Sequence, residues 1–283
     1  NVTQPTLSSM IQKLEEELGV KIFDRSKQPI KPTAEGMLII ERAWNILVRA
    51  KQLKEVVEEE RHSLSGTFHV AVLPTIAPYL IPRFLPQLMN EYPELDIRVT
   101  EMKTEDIHKA LKHGDIDAGI VAQVEGQEGF DNEHLYFEKF FVYVSKGDAL
   151  FNNKAIRTVD LTGEYLWLLD EGHCFREQLV KFCHLKSAAK SKKAYNLGSI
   201  ETFMRIVESG KGVTFIPELA LEQLTEVQKE LVRSFAHPIP TRDIILLTQK
   251  NFLRTSLRQL IIDKIRAAVP ADMLQMNKMQ QAL

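Results

Sequence analysis

Cys174 and Cys183 are the two cysteines in 283 residues, and nine positions separate them. A thiol attacks peroxide as the thiolate, a form favoured by a helix N-terminus or a neighbouring cation. The run Gly172-His173-Cys174-Phe175-Arg176-Glu177 places Cys174 where a helix begins, with His173 just before it and Arg176 two places on. All three features predict an acidic sulfur. Phe175, Leu179, Phe182 and Cys183 share the apolar face of the following helix, so Cys183 is expected to be the quieter and more buried thiol. That asymmetry suits one reactive and one resolving cysteine. Nine helical residues separate the Cα atoms by roughly 13 Å and turn them about 900°, to opposite faces. A disulfide needs Cα atoms about 4.4–6.8 Å apart. The two cannot bond while that helix is intact, so a bridge would require the segment to unwind and repack.

Other chemistry stays open for the same residues. Two cysteines exclude a disulfide framework, and two unrelated core thiols are the default in a reducing compartment. His173-Cys174 with Cys183-His184 could suggest zinc, but adjacent residues rarely both ligate one metal and the spacing matches no finger pattern. A thiol peroxidase could use such a pair. No metal and no cofactor is expected.

The elements that must hold these thiols follow from periodicity. Beyond Gly66 strands and helices alternate: strand 68–73, helix 77–91, strand 96–101, helix 105–112, strand 118–121. That order predicts a parallel sheet with helices on its faces. A strand at 135–145 leads to a second set: strand 165–169, helix 175–183, strand 194–197, helix 200–208 and strand 213–216. Strand 244–248 and helix 253–269 close the chain. Two similar α/β lobes imply a cleft between them. Upstream, Ile39, Ala43, Ile46, Ala50, Leu53 and Val57 recur at alternating steps of four and three, the a/d seam of a helix that pairs with its own copy. Ser65-Gly66 breaks it.

The charges nearly cancel, 36 Lys and Arg against 38 Asp and Glu, so any nucleic acid is bound locally rather than by bulk charge. No apolar run approaches the roughly 18 residues of a membrane span, and no export signal opens the chain. A cytoplasmic location is expected. The first residue is Asn1, which suggests an incomplete N-terminus.

At that end, Gln4, Pro5, Thr6, Ser8 and Ser9 put small polar groups on the first turns of a helix, the end a recognition helix presents to base edges. Arg25, Lys27 and Lys31 would flank a turn-rich wing as phosphate contacts. Lys13, Lys21, Arg25, Lys27 and Lys31 face Glu15, Glu16, Glu17 and Asp24, so charge alone does not separate this from an ordinary amphipathic helix.

The full string does. Thr3-Gln4-Pro5-Thr6-Leu7-Ser8 with Ile11, Lys13-Leu14-Glu15, Glu17-Leu18-Gly19, Ile22-Phe23, Arg25 and Thr33-Ala34-Glu35-Gly36 resembles the winged helix-turn-helix of LysR-type transcriptional regulators. The resemblance covers the whole chain. It implies an α+β multidomain protein: a partial winged helix-turn-helix at 1–34, lacking the two helices that precede this string in the family, then a dimerising linker helix at 35–62. A two-lobed regulatory domain at 66–283, resembling periplasmic binding proteins, completes it, with lobe I about 66–139 and 240–283 and lobe II about 140–239. Such a protein is a regulator rather than an enzyme.

Within the family, Asp170-Glu171-Gly172-His173-Cys174-Phe175-Arg176-Glu177 with Phe182-Cys183 is similar to the hydrogen-peroxide sensors, Glu177 standing where they often carry Asp. The similarity implies that Cys174 is peroxidatic, forming a sulfenic acid, and that Cys183 resolves it as an intramolecular disulfide. Glutaredoxin or thioredoxin would reset it. Leu73-Pro74-Thr75-Ile76-Ala77-Pro78-Tyr79-Leu80 and Thr104 look like the sensors' peroxide pocket, in which Thr75, Thr104 and His173 orient peroxide, although both threonines could equally cap helices. The implied partners are inverted-repeat DNA, RNA polymerase, and further copies of the chain as a dimer or tetramer. The rival is a family member that senses a small organic effector in the interlobe cleft. Lys190-Ser191-Lys192-Lys193 reads as a solvated loop.

Overall fold

The computed structural model describes residues 2–60, 64–161, 165–169, 174–183, 199–250 and 252–283. The chain divides into two compact units, Asn1–Val57 and Glu58–Leu283.

In the first unit, helix α1 (Gln4–Leu18) begins after Thr3, carries Pro5 in its first turn and ends at Gly19. Gly19 adopts φ 68°, the left-handed cap that glycine accepts without strain. Strands β1 (Phe23–Asp24) and β2 (Lys31–Pro32) pair antiparallel as the wing. Glu15, on the buried side of α1, joins helix to wing: its Oε1 accepts from the backbone N–H of Ile22 at 2.7 Å and of Phe23 at 3.1 Å. The Thr33 hydroxyl accepts from Gly36 N at 2.9 Å and starts the long helix α2 (Ala34–Glu60). On α2, Ile46 and Leu53 are 67% and 71% exposed, Ala43 and Ala50 are exposed, and Ile39 is half-buried. The side chain of Val57 lies outside the described residues.

The second unit is built on strands β3 (Gly66–Val72), β4 (Leu95–Glu101), β5 (Ala118–Ala122), β6 (Phe130–Val144) and β7 (Ala155–Ile156), with helices α3 (Ala77–Glu91) and α4 (Thr104–His113) among them. Helices α5 (Cys174–Phe182), α6 (Ile200–Glu208) and the short α7 (Glu226–Lys229) follow, with strands β8 (Val213–Pro217), β9 (Val232–Phe235) and β10 (Ile239–Gln249). Helix α8 (Thr255–Ala268) and strand β11 (Gln280–Ala282) finish the chain.

The expected parallel sheet is only partly present. β3 pairs parallel with β4 and β5, but β10 runs antiparallel to both β5 and β6, and β6 antiparallel to β8 and β9. Two long strands, β6 and β10, carry the chain between lobes, and their opposite directions impose the mixed sheet. The expected strand at 165–169 is a single bridge, Leu166 to Val213. The expected strand at 194–197 lies outside the described residues, as does Lys190-Ser191-Lys192-Lys193. β7, β9 and β11 were not anticipated; β11 is a short parallel neighbour of β10. No helix among the described residues is long and apolar enough to cross a membrane.

Candidate functional site

Cys174 is the first residue of α5, and Cys183 follows the helix's last residue, its N–H bonding Leu179 O at 2.9 Å. Neither cysteine is bridged. The helix between them is intact, as the spacing required of a reduced pair. The expected difference in burial is absent, since Cys174 is 6% and Cys183 5% exposed. What differs is the company each sulfur keeps.

Phe175 follows Cys174 into the core and meets Phe140 of β6 edge-on, with ring centroids 4.9 Å apart. That packing brings the N-terminus of α5 against the crossing strands, where Arg242 of β10 stands. Arg242 is fully buried and directly opposite Glu138 in the antiparallel register of β6 and β10. Its Nε donates to Glu138 Oε2 at 2.8 Å, and Nη2 lies 2.6 Å from the same oxygen. Nη1 donates to the Thr75 hydroxyl and Nη2 to the Thr75 carbonyl, both at 3.0 Å. The guanidinium carbon lies 5.2 Å from the Phe175 ring centroid and 5.5 Å from that of Phe140.

The pKa of Cys174 runs against expectation. Burial pushes the thiol up and outweighs three opposing influences: the Arg242 charge, the Thr104 hydroxyl and the backbone N–H of Phe175; Glu177 adds to the rise. Arg176, expected to supply the cation, instead donates to Leu169 O at 3.2 Å. The cation is Arg242, a residue that sequence reasoning missed. Cys183 is pushed up to about 12 by burial, with no group opposing it.

The threonines resolve differently from a pair of helix caps. Lys103 rather than Thr104 precedes α4, and the residue before α3 is Ile76, which makes no side-chain cap. Thr75 is the brace for Arg242. The Thr104 hydroxyl is buried and completes no hydrogen bond, yet it stands near enough to Cys174 to favour a thiolate there. Gln178, one turn after Cys174, also carries a buried unpartnered oxygen, Oε1, while its Nε2 reaches Gln123 O at 3.5 Å. The Thr104 hydroxyl can both accept from and donate to a small hydrogen-bonding molecule, and the Gln178 oxygen can accept from one. His173 lies outside the described residues. Among the described residues no cluster of three or more His, Cys, Asp or Glu side chains is placed to hold a metal ion.

In the N-terminal unit, Gln4, Pro5, Thr6, Ser8 and Ser9 are all exposed at the start of α1, and Lys31 is exposed on the wing. Arg25 is partly diverted from the expected phosphate role, its Nη2 lying 3.6 Å from Glu15 Oε2.

Residues 1–37 match the family described as bacterial regulatory helix-turn-helix protein, lysR family, and residues 61–270 match the LysR substrate binding domain. The chain is 32% identical to the DNA-binding transcriptional dual regulator OxyR of Escherichia coli, over 94% of this chain and 87% of that one. Reduced OxyR from Porphyromonas gingivalis is 45% identical, covering 76% of this chain and all of its own, with a TM-score of 0.70. A full-length OxyR variant from Pseudomonas aeruginosa is 31% identical over 94% of this chain and 89% of its own, with a TM-score of 0.74. Recognition helix, wing, long helix and two-lobed domain thus occur here in one order with one fold, and the chain belongs to the LysR family of transcriptional regulators, among relatives named OxyR.

Proposed function

We propose that the protein is a redox-regulated transcription factor that senses hydrogen peroxide through Cys174 and records it as a disulfide with Cys183. The observation that carries this is one helix with a thiol at each end, only one of them acted on by a buried cation and by a buried hydroxyl with no other partner. The Cys174 thiolate attacks one peroxide oxygen, the O–O bond breaks, and Cys174–SOH forms with hydroxide, which takes up the proton the thiol released. Thr104, Gln178 and His173 orient the peroxide, and Thr75 acts through Arg242. Cys183 then displaces water from the sulfenic acid to close the disulfide, which requires α5 to unwind because roughly 13 Å separate its ends. Two thiols of the cell's glutaredoxin or thioredoxin systems supply the electrons for reset.

The exposed seam of α2 pairs two copies, and the recognition helices of the pair read inverted half-sites about 34 Å apart. Oxidation alters their spacing and the contact with RNA polymerase, in the cytoplasm. Domain limits of 1–34, 35–62 and 66–283 fit this division of labour. Stoichiometric peroxide is expected to remove two free thiols from the wild-type chain. In Cys183→Ser it should remove one and leave a sulfenic acid that dimedone labels. Unreacted thiols in both proteins would sink the proposal, and sustained turnover of many peroxides per chain would favour a peroxidase.

A further inference from the structure

Arg242 is one buried cation with two acids in reach. We propose that Glu138 is a positioning residue for the peroxide reaction: it competes with Cys174 for the single guanidinium and so limits how much of that cysteine is thiolate.

The geometry gives Glu138 the larger share. Its Oε2 engages both Nε and Nη2 of Arg242, and its Oε1 accepts from Leu219 N at 3.3 Å. Thr75 takes the carbonyl-facing edge through Nη1 and Nη2. Only one N–H of Nη1 is left uncommitted, and the guanidinium reaches Cys174 through its charge, lying 5.2 Å from the ring of the adjacent Phe175. The site is sealed: the Arg242 side chain is 0% and that of Glu138 2% exposed. One cation there balances one anion. A second anion is uncompensated in a medium that solvates charge poorly.

The other groups around the site do not relieve this. Tyr79 and Tyr136 flank Arg242 as neutral hydroxyls, both pushed up by burial, and Arg83 acts on Tyr136 from farther out. Glu218, itself paired with Lys139 at 2.6 Å, still disfavours charge on Glu138, and Glu177 disfavours charge on Cys174. Burial raises the Glu138 carboxyl as well, against the pull of Arg242. Arg242 favours the charged form of both Glu138 and Cys174, so a proton held by Glu138 would leave more of the guanidinium to a Cys174 thiolate.

The test is Glu138→Gln in the full chain, an isosteric change that keeps an oxygen for Leu219 N and Arg242. Iodoacetamide labelling of Cys174 and Cys183 is followed separately across pH by mass spectrometry of their peptides. The Cys174 profile should move to lower pH, with labelling at neutral pH about tenfold faster for each unit moved, while the Cys183 profile stays in place. A Cys174 profile that stays or moves upward overturns the proposal, and so does a parallel shift of both thiols, which reports a loosened fold. Should Glu138→Gln not fold, Glu138→Asp keeps the charge but draws it back by one methylene. A smaller shift in the same direction is then expected, and none overturns the proposal. The inference rests on Cys174 being the peroxidatic thiol, but labelling uses no peroxide, so the two readings stand or fall by different measurements.

Discussion

At the N-terminal end of α5, Cys174 meets a guanidinium, a hydroxyl and a backbone N–H that all favour its thiolate, whereas at the C-terminal end Cys183 has burial alone acting on it. Beyond the second end lie rings: Phe182 stands edge-on to Phe235, and Phe235 stacks on Phe215. Equal exposure thus conceals different surroundings: burial raises both thiols, but only at Cys174 do neighbouring groups oppose the rise. Burial by itself makes a thiol inert, and what makes a buried thiol reactive is charge arranged beforehand, before any substrate arrives.

The largest effect that would break this comparison is loss of the first end. Cys174→Ser is expected to abolish thiol loss on peroxide treatment, with Cys183 remaining fully titratable; oxidation of Cys183 in that variant would show that the ends are interchangeable. Next comes the pH response of the second end. A thiol held at about 12 rather than 9.0 carries roughly a thousandfold less thiolate at neutral pH. In the folded chain Cys183 should therefore label about that much more slowly than in urea. Because the folded pKa is the raised one, this thiol's contribution to stability is present below pH 9.0 and lost as pH rises towards 12, so Cys183→Ala should flatten the fall in thermal midpoint over that window.

Arg242→Gln sharpens the comparison from the charged side. It leaves Glu138 buried without its cation, a loss of about 3–5 kcal/mol for a broken buried pair, read by thermal melting. The same variant should slow Cys174 oxidation by about tenfold or more, one unit of pKa being a factor of ten in thiolate, without changing Cys183 labelling. The smallest effect is Phe182→Leu, which trims the apolar end by about 1 kcal/mol, or a factor of about five in an opening equilibrium. It should speed disulfide closure and leave the first oxidation unchanged, as stopped-flow thiol loss in two phases would show.

Local features were legible in the sequence. Helices 77–91 and 200–208 fall at their expected limits, because each carries its own apolar period and its own stops. Gly19 ends α1 for a reason visible in one residue. The cysteine spacing, too, is local arithmetic. Arg242 and Glu138 were not seen, because they are 104 positions apart and meet only through the register of two antiparallel strands. Their trace was a pair of adjacent opposite charges in each of two strand segments, Glu138-Lys139 between Phe137 and Phe140 and Arg242-Asp243 before Ile244-Ile245. Proximity in sequence made Arg176 the obvious cation, but the first turn of α5 sends its side chain back to Leu169. The bridge at Leu166 failed as a strand because only one residue there finds a sheet partner.

The carboxylate of Glu15, holding the amides of Ile22 and Phe23 at the entry to the wing, would have a consequence for reading DNA. Helix and wing form a caliper with a fixed jaw: on the proposed reading, the distance between the turn that would enter the major groove and the wing that would rest on the neighbouring backbone is set inside the protein. A duplex whose grooves do not match that span must itself bend or narrow to be held, and sequences that deform easily are favoured at positions no side chain touches.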